Sequence, residues 1–169
     1  MSDNMSDLHE NSVESLGAKI KSIRFCMFTT VSDDNSLSSR PMTQQALDPD
    51  GTLWIFTSDD QPLAHDISAR PEVNVTFAEP SDSTYISITG DASLVKDREK
   101  FKQLWNPMVA AWYPRGLDDP HLALIKVSIH SAEYWDSDSN KMTQLFSMAK
   151  AALTGTRPKD VGHHGKVQF

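Results

Sequence analysis

The chain has 169 residues, 38% of them hydrophobic, enough for one domain with a core that needs no staples. A formal net charge of −7, with no block of consecutive basic residues, argues against nucleic acid or an anionic membrane as partner. The single cysteine, Cys26, cannot form an intrachain disulfide, no apolar run reaches a membrane span, and the polar start MSDNMSDLHE is not a signal peptide; the expected setting is the cytoplasm.

Apolar positions at Val13, Leu16, Ile20 and Ile23 follow the spacing of one helix face after a polar tail over residues 1–10. The period then changes. Arg24 to Val31 (RFCMFTTV) is aromatic and β-branched and ends at the turn signal SDDNS. Leu37 to Leu47 reads as a second strand, Asp48-Pro49-Asp50-Gly51 as a hairpin turn, and Thr52 to Thr57 as a third strand. Pro62 to Ala69 predicts a short helix with proline near its start, stopped by Arg70-Pro71. Glu72 to Phe77 alternates apolar and polar residues. Thr84 to Val95 is a longer strand in which Gly90 marks a bulge or a sharp bend.

Asp97 suits the N-cap of a helix running to about Trp105. His121 to His130 reads as a strand that Ala132 to Trp135 either continues or pairs with. Met142, Leu145, Phe146, Ala149 and Leu153 predict an amphipathic helix closed by Gly155, and the polar tail over residues 156–169 is expected to be loosely held. Strand–helix alternation is too sparse for a doubly wound sheet. The pattern fits a mainly β, α+β domain over residues 11–155: an antiparallel barrel with peripheral helices.

Three stretches could carry chemistry. In Ser38-Ser39-Arg40-Pro41-Met42-Thr43 an arginine fork and hydroxyls could meet a phosphate, against the blander reading of a solvated edge strand. Proline inside a strand removes a ladder donor, so it implies an edge or an interrupted ladder. Phe56-Thr57-Ser58 ends a strand just before Gln61-Pro62 opens a helix, where hydroxyls and amides favour an anion or simply cap the helix. Trp105, Trp112, Tyr113 and Trp135 could stack on a flat ligand, fill a subunit interface or pack internally. No phosphate-binding glycine loop is present. The histidines match no closed metal site, and no metal is expected. Nor can a catalytic acid, base or nucleophile be assigned.

The order SRPM, DPDGTLWIFTS, EVNVTFAEP, TYISITGDASLVKDREK, WNPMVAAWYPRGLDDPHLALIKV and AEYWDS resembles the general stress protein branch of the pyridoxamine 5′-phosphate oxidase-like flavoproteins. The likeness runs from about residue 10 to the GHHGKV tail. It implies an FMN-binding split β-barrel, a homodimer, and FMN, or FAD, in the cleft between subunits. On it, Arg40, Pro41, Met42, Thr43, Phe56, Thr57, Ser58 and Gln61 would contact the flavin, with Trp105 and Trp112 covering it. The implied activity is that of a flavin-dependent oxidoreductase with an unidentified small-molecule electron donor and acceptor. Alternatives are a stress protein that only holds flavin, a cofactor-free structural dimer and, last, a heme-binding barrel. Two departures stand out. Leu63 occupies a position where the family commonly has a phosphate-binding lysine, a loss of about 1.5–3 kcal/mol in contact energy. The ending GKVQF lacks the arginine-rich pattern of true pyridoxamine phosphate oxidases, so oxidation of that vitamer is not expected.

Overall fold

The structure is a computed structural model that describes residues 13–136 and 163–169. Residues 13–20 are helical (α1). Strands β1 (Phe25–Val31), β2 (Leu37–Leu47) and β3 (Thr52–Ser58) lead to α2 (Pro62–Ala69), and β4 (Glu72–Glu79) and β5 (Thr84–Val95) lead to α3 (Arg98–Leu104). Then come α4 (Pro107–Trp112), β6 (Leu122–Asp136) and β7 (His163–Gln168). The predicted helix around Met142 to Gly155 lies outside the described residues.

All pairings are antiparallel. The order β3-β2-β1-β4-β5-β6-β7 closes on itself because β6 also pairs with β3, giving a six-stranded barrel with β7 added along the far half of β6. Leu122 to Ser128 of β6 bond to β3, whereas Ser131 to Asp136 bond to β7. Ala132 to Trp135 therefore continue the strand predicted at His121 to His130.

The barrel interior follows the two-residue alternation. Phe28, Leu53, Ile55, Val75, Phe77, Ile86, Ile88, Ile125 and Val127 point inward, joined by Leu16 and Ile20 from α1 and by Leu63 and Ile67 from α2. Around β3 and the start of β6 the outer face is buried too. There Trp54, Phe56, Leu122 and Leu124 form a second cluster covered by Phe101 of α3 and Val109 of α4. This double burial explains why TLWIFT reads as a nearly unbroken apolar run. Asp97 caps α3, accepting from the amides of Glu99 and Lys100 at 2.9 and 3.1 Å. Lys100 then reaches back to Asp48 at 2.9 Å and lies over the Trp54 ring, tying α3 to the β2–β3 hairpin.

The C-terminal residues depart from the expectation of a loose tail, since His163–Gln168 form a strand. The polar composition of HHGKVQ concealed what holds it: backbone pairing, Phe169 packed against the core, and a glycine where a side chain would clash. A Cβ at Gly165 would lie 2.2 Å from the Tyr134 ring.

Gly90 behaves as the sequence indicates. The β5–β6 register shifts between Thr89 and Gly90, and a Cβ there would sit 2.3 Å from the Ser128 carbonyl oxygen. Backbone cannot yield as a flexible side chain does. Gly90→Ala should therefore lower stability by about 1–3 kcal/mol, read as a drop in the urea midpoint; an unchanged midpoint would show that the bulge relaxes freely.

Candidate functional site

The β2–β3 ladder stops short. Pairing runs from Leu47–Leu53 to Gln44–Ile55, with a register shift between Gln44 and Ala46, while β3 remains bonded to β6 as far as Ser58. Residues 37–43 of β2 thus pair with β1 alone. Pro41 lies on this free edge, where its missing N–H interrupts no β2–β3 ladder. The two strands diverge as a fork, and an open cleft of about 510 Å³ occupies it.

One wall of the cleft is Pro41, Met42 and Thr43 of β2; the other is Phe56, Thr57 and Ser58 of β3, with Gln61 at the entry to α2. Met108, Val109 and Trp112 of α4 and the following Tyr113 complete it. The Trp/Pro segment folds here as a short helix that starts on proline. Asn106 caps it, accepting from the amides of Met108 and Val109 at 3.0 and 3.2 Å, and its own amide donates to Gln45 Oε1 at 2.8 Å. That last bond fixes α4 to β2 across the end of the cleft. Trp112 projects into solvent at 76% exposure.

Eight of the ten residues assigned from sequence thus line one cavity, and two do not. Trp105 stands behind the wall, edge-on to Phe56 with ring centroids 5.8 Å apart. It supports the cleft rather than facing it. Arg40 donates from Nη1 to Thr30 Oγ1 at 2.9 Å, and Thr30 donates to the buried carboxylate of Asp66 at 2.8 Å; Arg40 Nη2 lies 3.9 Å from the same oxygen. Strand alternation accounts for this, because Arg40 and Pro41 face opposite sides of β2. Leu63 is buried in the barrel core, so its side chain is occupied in packing.

Several lining residues carried no sequence signal as site residues. Phe25 of β1 and Gln45 of β2 are among them, and Met108, Val109 and Asp119 join because the chain returns from α4 to the β2–β3 fork; Asp60 lines the cleft beside the assigned Gln61. Tyr113 was legible only as one aromatic of the WYP block. Burial, and secondarily the Asp119 carboxylate, push the Tyr113 hydroxyl up to about 12, so it is protonated at neutral pH. Cys26 sits in the core, where burial raises its thiol to about 12; it is no nucleophile. The described residues contain no group of three or more metal-ligating side chains and no helix long and apolar enough to cross a membrane.

A family model described as pyridoxamine 5′-phosphate oxidase like matches residues 11–159. The chain belongs to that family. Its structural neighbours include general stress protein 26 family proteins with the split-barrel fold, in agreement with the forked barrel seen here. The general stress protein 26 of Bacillus anthracis str. Sterne is 26% identical, with a TM-score of 0.65, covering 72% of this chain and 92% of that one. The general stress FMN/FAD binding protein of Xanthomonas citri is 32% identical, with a TM-score of 0.66, covering 75% of this chain and 89% of that one. Protein bli-3 of Neurospora crassa is 26% identical over 156 residues, 86% of this chain and 75% of its own length.

The Arg40–Thr30–Asp66 chain gives a test of what Arg40 does. Arg40→Ala would leave the Asp66 carboxylate buried with hydroxyl partners alone, and should cost about 1–2 kcal/mol. A thermal melt checks this; an unchanged Tm would mean that Arg40 is not tied down.

Proposed function

We propose that this protein binds a flavin, FMN among them, in the β2–β3 cleft, and uses it as a flavin-dependent oxidoreductase. The observation that carries the reading is the convergence of Pro41, Met42, Thr43, Phe56, Thr57, Ser58, Gln61 and Trp112 on one cavity. Its volume lies within the range of small-molecule sites, about 300–1,000 Å³. Its walls suit a flat ring with a polar chain: Pro41, Phe56 and Trp112 offer apolar surface, and Thr43, Ser58 and Gln61 offer uncharged hydrogen-bonding groups. The Xanthomonas citri relative, described as binding FMN or FAD, supports the same reading.

A bound flavin supplies the electron-transfer chemistry. The protein's own residues orient the ring, exclude water and hold the Tyr113 proton.

The working unit in this proposal is a homodimer. Phe25 is 62% exposed, and with Met27, Tyr85 and Trp135 it forms an apolar outer barrel face. A second cavity of about 380 Å³ on this face shares Phe25 and Pro41 with the cleft. Apolar surface running into a ligand cleft is what a subunit closing over that cleft would bury. A cytoplasmic setting belongs to the same reading.

The purified protein, mixed with FMN and desalted, should keep the visible absorption of oxidised flavin. Trp112→Ala should weaken retention at least about tenfold. A colourless wild-type protein would contradict the proposal. A flavin that is retained but never reoxidised through multiple turnovers by any electron acceptor would leave a flavin-holding protein in place of an enzyme.

A further inference from the structure

The cleft is poor in positive charge. Of the described residues that line it, Asp60 and Asp119 alone are charged, and both are carboxylates. Several cations close to it in the chain are engaged elsewhere. Lys96 and His121 both pair with Asp59, at 2.5 and 2.8 Å, and Lys96 also donates to the Pro120 carbonyl. Arg98 pairs with Asp118 at 2.8 Å. Arg40, the basic residue on the β2 wall strand, is turned away to Thr30 and Asp66. Asp60, adjoining Gln61 at the start of α2, is exposed and makes no ion pair among the described residues, although the His121 charge also acts on it. The Ser58 hydroxyl holds its carboxyl below the usual range, so it is ionised at neutral pH.

A phosphate monoester carries about 1.5–2 negative charges at neutral pH. In this cleft it would face two carboxylates. The uncharged groups of Thr43, Ser58 and Gln61 suit hydroxyls better than a dianion. We infer that the site recognises a flavin by its ring and uncharged ribityl chain, and that riboflavin binds more tightly than FMN. This rests on the flavin reading above.

The test is a pair of titrations on the full-length protein freed of ligand, with riboflavin and with FMN, followed by flavin fluorescence at low and high salt. Riboflavin should bind about three- to tenfold more tightly at low salt, the size of like-charge repulsion near a surface. The ratio should move towards one as salt screens the carboxylates. Asp60→Asn and Asp119→Asn should each tighten FMN severalfold and leave riboflavin within about twofold. Tighter binding of FMN by the wild type would overturn the inference, as would a ratio unmoved by both substitutions. Binding of neither flavin would instead remove the flavin reading itself, a distinguishable failure.

Discussion

Strand β3 is bonded to β6 along its whole length but to β2 over only part of it, and the site depends on that difference. Its full span, Thr52 to Ser58, is held by β6, whose fifteen residues also carry β5 and β7. On the other edge of β3, pairing with β2 ends at Gln44, next to a register shift. The fork left between the two strands is the cleft, and Pro41 lies on the edge that needs no donor there. The Gly90 bulge lets β5 follow the same long strand through its change of partners.

Packing then gives the fork its walls. Trp54, Phe56, Leu122 and Leu124 are buried on the outer side of the barrel beneath α3 and α4. The Lys100–Asp48 contact anchors one helix and the Asn106–Gln45 bond the other. The aromatic segment is thereby divided: Trp105 braces Phe56 from behind, and Trp112 stands free at the rim. Exposure of so large a ring fits a surface completed by a ligand or a second subunit.

Much of this was legible in the sequence, because local signals and tertiary structure agree. The Asp97 cap, the Asp48 to Gly51 hairpin, the Gly90 irregularity and the alternation through β4 each predict what forms. The meaning of Pro41 was also readable: an interrupted ladder. Long-range effects were not. Whether Arg40 faces the cleft depends on its position in the pleat of β2 and on Asp66, twenty-six residues on in the chain. Strand β7 was hidden because backbone pairing and one close glycine hold it, with little apolar patterning to show. The acidic lining arises from Asp60 and Asp119, which only the fold brings to one cavity.

The central claim is a flavin held in a cleft that a second subunit closes. Native mass spectrometry of the protein loaded with riboflavin or FMN tests it most directly. The account predicts two chains carrying two flavins, with dimer and ligand lost together when Phe25 and Trp112 are replaced by alanine. A monomer that retains flavin, or a dimer that takes up none, would contradict it.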